Sequence, residues 1–277
     1  MIGVRCARAA LLVILSSLLA CAGWDAASAK RAPLGCQRST FRVVLDVGHT
    51  LEVPGAFSAH GIPEYAFNLQ LATETKRALL DAGFKKTVLL ITEKAPPEGL
   101  VERASRANNL SADLFIAIHH DSVPDYLLES WQVEGQEYHF NDSFPGYAIF
   151  VSNDNPHRGA SLQFGHLLGE QLQGRGLQYT PHYTLPLMRH RRRELLDAAA
   201  GVYRYDQLIV LRETHMPAVL LEAGSIINRQ EEPQLASEQR RALTAAAVTA
   251  AVEQFCAARS RQRSIHHSVR ISLGKNH

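Results

Sequence analysis

Apolar and polar positions along this chain follow two different periods. Short apolar runs at 41–46, 87–91, 113–118, 147–152, 207–211 and 218–222 read as strands. Longer stretches at 64–82, 99–110, 160–173 and 235–256 repeat apolar residues at helical spacing. Pro63 stands where a first helical turn tolerates it, and Gly83 falls where a helix C-cap is expected. Runs such as Phe115–Ile118 are apolar without alternation, the pattern of strands covered on both faces. Strands alternating with helices predict an α/β fold: a mostly parallel twisted sheet of about six strands with helices on both faces, in a single domain. No internal repeat is visible.

Two stretches break the pattern. Residues 122–145 form a long connection carrying Tyr126, Trp131, Tyr138 and Phe140 among acids and glutamines. A connection of that length is usually functional or disordered, and its aromatics favour order. Residues 174–204 hold Pro181, Pro186 and the basic run Arg189-His190-Arg191-Arg192-Arg193. The run reads first as a solvated helix face and second as an attractor for an anionic polymer.

The ends of the chain add a compartment. Arg5 and Arg8 precede an apolar run from Ala9 to Ala20, shorter than the roughly 20 residues of a membrane-spanning helix, and Ala27-Ser28-Ala29 supplies a small-x-small cleavage site. Residues 1–29 are therefore expected to be a secretory signal peptide cut after Ala29. The rival is lipid attachment at Cys21, since Leu18-Leu19-Ala20-Cys21 is a passable lipobox. Residues 30–40 form a polar lead, 41–257 the domain, and 258–277 a basic tail expected to be mobile. Cleavage leaves Cys36 and Cys256, a candidate disulfide in an exported protein, with two free thiols as the alternative. A net charge of +2 gives no support for nucleic-acid binding.

Candidate chemistry sits where strand patterns stop. The run Phe41–Asp46 leads into Val47-Gly48-His49, Leu114–Ile118 into His119-His120-Asp121, and Ala218–Leu221 into Glu222. Parallel strands open their C-termini onto one edge of a sheet, where ligands bind. Two histidines and a carboxylate delivered there suit a zinc hydrolase. Glu64, opening the 64–82 helix and facing the His49 loop, adds a second carboxylate; its plain alternative is an acid at the positive end of a helix dipole. His119 and His120 compete, because successive strand residues point to opposite faces. Glu222 reads either as a general base or as an ion-pair partner of an arginine such as Arg212. Asp46 and Asp121 are placed to support the loop or orient an imidazole. His60, His139, His157, His166, His182, His190 and His215 lack comparable context; only His182 and His190 stay open as substrate contacts.

Taken in order, Asp46-Val47-Gly48-His49, Glu64 with Asn68, Ile118-His119, Val210–Thr214 and Met216–Glu222 resemble the Amidase_3 type of zinc-dependent N-acetylmuramoyl-L-alanine amidase, across roughly Phe41 to Cys256. The chain departs at Val47, where the family usually has Pro. It departs again at His120-Asp121 for Ala-Asn and at Ala223-Gly224-Ser225 for a more apolar run. The resemblance implies one Zn²⁺ held by His49, Glu64 and His119, with Glu222 as catalytic base. Asp46, Asn68, His120, Asp121 and Arg212 become supporting or substrate-facing candidates. It implies peptidoglycan as substrate, cleavage between the lactyl group of N-acetylmuramic acid and L-alanine, and a periplasmic location; a protein activator stays open. Two rivals are a periplasmic zinc carboxypeptidase, which needs a cationic pocket for a free C-terminus, and a catalytically inactive wall-binding module, which needs a lost ligand or base.

Overall fold

A seven-stranded sheet organises the computed structural model, which describes residues 35–273. The expected signal peptide and Cys21 lie outside the described residues. The strands are β1 (Val43–Val47), β2 (Val88–Leu90), β3 (Leu114–Asp121), β6 (Ala148–Val151), β7 (Leu195–Asp197), β8 (Val202–Arg204) and β9 (Ala218–Ser225), in the order β2-β1-β3-β9-β6-β8-β7. Strands β4 (Glu129–Val133) and β5 (Gln136–Phe140) form a separate hairpin. The helices are α1 (Glu64–Asp81), α2 (Glu98–Asn109), α3 (Arg158–Gln173), α4 (Ile209–Arg212), α5 (Glu232–Leu235) and α6 (Glu238–Leu273). Pairing is parallel from β2 through β9; β6 and β8 run against the other strands of the sheet.

Side chains alternate across the buried strands and build two cores. Val43, Leu45, Ile116, Ile118, Val219 and Leu221 pack toward α1, α3 and α6 with Leu71, Phe164, Val248 and Phe255. Val44, Phe115, Ala117 and Leu220 pack on the other face with Ala107 of α2 and Val210 and Leu211 of α4. The three strands that carry candidate chemistry, β1, β3 and β9, are adjacent. Their neighbouring C-termini are what brings His49, His119 and Glu222 together.

Four features differ from the sequence expectation. Residues 207–211 do not form a strand: Ile209–Arg212 is a helical turn packed beside α2. A four-residue apolar run cannot distinguish helix from strand by period, and both edges of β9 are already filled by β3 and β6. Asn155 fixes the turn by donating from Nδ2 to the carbonyls of Leu211, Thr214 and Met216. Strands β7 and β8 emerge within 174–204, each too short to show a period. The 122–145 connection is ordered, as its aromatics favour, but it carries a β4–β5 hairpin absent from the strand pattern, in which Trp131 faces Tyr138. Finally, α6 passes the expected boundary at 257 and runs to Leu273, because neither Gly nor Pro interrupts the chain before Gly274.

Cys36 and Cys256 are disulfide-bonded, with Cα atoms 5.1 Å apart, which ties the lead to α6. The bond closes a 220-residue separation. Replacing both cysteines by serine is expected to cost about 2–5 kcal/mol, read as a lower urea midpoint. A midpoint that matches the oxidised parent contradicts a stabilising role.

Candidate metal centre

The site begins at the turn after β1. Gly48 continues the ladder by donating its N–H to the Ile118 carbonyl, and His49 then enters the left-handed region at φ 67°. Arg103 of α2 holds that turn. Its guanidinium, only 3% exposed, pairs with Asp46 Oδ1 at 2.6 Å and donates to the carbonyls of Val47 and His49. Burial raises the Asp46 carboxyl to about 6, against the pull of Arg103.

The chain then folds back onto the start of α1. The first N–H groups of this helix are taken by the loop: Glu64 donates to Ala56 and Tyr65 to Pro54. Glu64 is thereby buried at 5% exposure, with both oxygens turned toward the strand ends. His49 Nε2 lies 2.9 Å from Oε2, and His119 Nδ1 lies 3.0 Å from Oε1. Asn68, one turn along α1, donates to Glu64 Oε1 at 3.0 Å and to the Gly48 carbonyl at 3.2 Å. Burial would push the Glu64 carboxyl up, but hydrogen bonds from His119 and His49 outweigh it and hold the group well below the usual carboxylate range. Burial lowers the His119 pKa, opposed by Glu64.

Ligand atoms of His49, Glu64 and His119 all lie within 4.8 Å of one another. An ionised Glu64 carboxylate beside a His119 imidazole biased to neutral is the protonation state that a metal requires, and the His₂Glu set suits zinc. Two glycines make room for it. A Cβ on Gly48 would sit 2.4 Å from the His119 ring, and one on Gly55 would sit 2.6 Å from Glu64 Oε2 and 2.7 Å from the His49 ring. Gly55 also has φ 82°. Gly55→Ala is therefore expected to weaken zinc binding by about tenfold or more, as supporting changes around metal ligands do, in a chelator competition. Parent-like affinity contradicts the packing described.

His120 points the other way. It is buried on the α1 face, with Nδ1 2.8 Å from Asn68 Oδ1 and its ring against Phe67. Burial drives its pKa down to about 3. The adjacent histidines thus occupy opposite faces of β3, and Asn68 links them through Glu64.

Glu222 lies inside β9, directly opposite His119 in the β3–β9 register. Its Oε2 is buried and, among the described residues, has no hydrogen-bond partner. Burial and the charges of Asp121 and Glu64 raise its pKa well above the usual range. Arg212 is not its partner: that guanidinium pairs with Glu213 at 3.0 Å on the surface, because residues 209–212 turn as a helix.

Asp121 orients neither His119 nor His120. Its Oδ1 accepts from the Tyr183 hydroxyl at 2.6 Å and the Ser122 N–H at 2.8 Å, and its Oδ2 lies 3.6 Å from His182 Nε2. His182 is 1% exposed, which removes it as a substrate contact. Nor does the arginine run form a free helix face. Arg189 stacks on Tyr126 at 4.1 Å, Arg193 stacks on Tyr205 at 3.8 Å, and Arg191 donates to the Ser122 carbonyl. Arg103, Gly55 and Tyr183 were not singled out from sequence. An arginine among the mostly polar residues of an amphipathic helix carries no mark of its burial.

The N-acetylmuramoyl-L-alanine amidase family model, Amidase_3, matches residues 43–254. The N-acetylmuramoyl-L-alanine amidase Rv3717 of Mycobacterium tuberculosis is 23% identical over 212 residues, covering 76% of this chain and 76% of that protein. AmiC of Neisseria meningitidis is 25% identical over 225 residues, covering 77% of this chain and 52% of that protein. Among solved structures, the amidase Ami1 of Mycobacterium smegmatis superposes with a TM-score of 0.61 at 19% identity, covering 79% of this chain and 97% of Ami1. The Clostridioides difficile amidase CwlD, solved in complex with the GerS lipoprotein, gives 0.56 at 16% identity, over 78% of this chain and 98% of CwlD. With a family match spanning the sheet, its helices and all four candidate residues, the chain belongs to the Amidase_3 family of N-acetylmuramoyl-L-alanine amidases.

Proposed function

We propose that this amidase is zinc-dependent and cleaves the bond between the lactyl group of N-acetylmuramic acid and the L-alanine of the stem peptide. The observation that carries the reading is the convergence of His49, Glu64 and His119 beside an unpartnered buried oxygen of Glu222. A zinc ion held by the first three would polarise the amide carbonyl and acidify a water. Glu222 accepts the proton of the attacking water at Oε2 and returns it to the leaving nitrogen. Its buried Oε2, with no hydrogen-bond partner among the described residues, is available to take that proton and give it back. Asn68 and Arg103 do not touch the reacting atoms; they hold Glu64 and the His49 turn in place.

Metal analysis of the purified protein tests the reading. We expect one zinc per chain, loss of activity on chelation and recovery on adding one equivalent. Full activity after the metal is stripped contradicts it.

The same proposal extends to compartment and partners. The N-terminal pattern supports export to the periplasm with cleavage after Ala29, which the mass of the exported protein tests: a chain beginning at Lys30 supports it and a lipid on Cys21 overturns it. No helix among the described residues is long and apolar enough to cross a membrane. An activating protein partner belongs to this reading by analogy with the CwlD complex, and a purified chain that digests peptidoglycan at full rate alone would remove it.

A further inference from the structure

A cavity of about 210 Å³ opens beside the two histidines, between α2, α4 and the outer face of β9. His49 and His119 form one wall. Leu100, Leu208, Val210 and Leu220 supply an apolar floor and flank. Leu220 and Glu222 are two residues apart on β9 and share a face, so the floor of the cavity leads toward the base. The buried charges that line it, Asp46 and Arg103, satisfy each other. Lys94 stands at the rim, its side chain 67% exposed.

The chemistry of this lining selects one half of the substrate. A muramic acid ring presents hydroxyl and acetamido groups, and burying them against leucine and valine without partners is costly. A small apolar side chain loses nothing there. The peptide half has such a group next to the scissile bond, and its second residue carries a carboxylate that a rim cation can meet. Lys94 can do so by exchanging Glu102 for the carboxylate. Its pairing with Glu102, at 3.0 Å, is a surface contact of the kind worth at most about 1 kcal/mol. Its backbone is fixed nonetheless, since the Lys94 carbonyl packs so tightly on Gly99 that a Cβ there would lie 2.1 Å away.

Resting on the amidase reading, we propose that this cavity receives the leaving peptide, with the L-alanine methyl on the apolar floor and Lys94 as a specificity residue for the α-carboxylate of the second residue. The structure assigns discrimination between stems with a free and an amidated second residue to one lysine.

Calorimetric binding of product peptides to the zinc-loaded protein tests this. The probes are the stem tripeptide whose D-glutamate, linked through its γ-carboxyl, keeps a free α-carboxylate, and the same tripeptide with that carboxylate amidated. We expect amidation to weaken binding to the parent about three- to tenfold, the scale of one partly exposed charge-assisted contact. Lys94→Met should bind both peptides within about twofold of each other. Glu102→Gln, which releases Lys94, should widen the parent's preference. Leu208→Trp, at a partly exposed position, should narrow the cavity and weaken both peptides together. Equal binding of the two peptides by the parent overturns the proposal, as does a preference that survives in Lys94→Met or tight binding by Leu208→Trp. A preference that depends on Lys94 in a protein that cuts no muramoyl–alanine bond would keep the pocket and sink the amidase reading. The opposite pair of results would do the reverse.

Discussion

Glu222→Gln is expected to give a folded, zinc-loaded protein that binds peptidoglycan and turns over about 10²–10⁴-fold more slowly, the usual cost of removing general acid–base help. Glutamine keeps the size of the side chain and a hydrogen-bonding end, but it takes no proton from water at neutral pH. The backbone at 222 is fixed by the ladder to β3 on one side and β6 on the other, so the substitution changes chemistry rather than position. The parent carboxylate also lies among the like charges of Asp121 and Glu64. Removing its charge should therefore leave stability unchanged or slightly raised. A variant that loses zinc makes Glu222 a ligand and leaves Glu64 as the candidate base. A variant within about tenfold of the parent means that another group moves the proton.

The adjacent histidines should separate just as sharply. His119→Ala removes one of the three candidate ligands, His49, Glu64 and His119, and is expected to abolish stoichiometric zinc and activity together, since three protein ligands are usual for a catalytic zinc. His120→Ala should retain zinc and part of the activity but melt earlier. It strips the partner from the buried Asn68 Oδ1, an unsatisfied group worth about 1–3 kcal/mol. It also opens a void against Phe67. Zinc content and thermal midpoint measured on both variants decide the matter. Zinc lost from the His120 variant and kept by the His119 variant would reverse the face of β3 assigned to the metal.

The strand-end residues were legible because unbroken apolar runs mark buried strands: His119 and Glu222 are the first ionisable side chains after theirs, and His49 stands in the Gly-His turn that follows Asp46. Three such strands proved to be neighbours in the sheet, which their order in the chain does not dictate: β9 sits beside β3, with β6 on its far side. Glu64 was legible through Pro63 and the helical period that follows. What holds these residues was not. Arg103 reaches Asp46 across 57 positions, and nothing in the spacing of α2 distinguishes it from Arg106, which is exposed and bonded to the Ile91 carbonyl. Asp121 was read as an imidazole orienter near the metal. Its hydrogen bonds come instead from the Ser122 N–H and from the hydroxyl of Tyr183, on a turn whose prolines and arginines show no period. The 207–211 run is ambiguous for a related reason: its length fits a strand as well as a turn of helix, and the filled edges of β9 together with the Asn155 hydrogen bonds decide for the turn. That helical turn supplies Val210, which together with Leu208 lines the cavity beside the metal centre.

Digestion of purified peptidoglycan by the zinc-loaded protein, with mass analysis of the products, tests the central claim most directly. A zinc amidase built on His49, Glu64, His119 and Glu222 should release intact stem peptides with free L-alanine amino termini and leave glycan strands bare, with both products vanishing on chelation and returning with zinc. Stem peptides shortened from their C-termini, or unchanged material that the protein merely binds, would contradict the account.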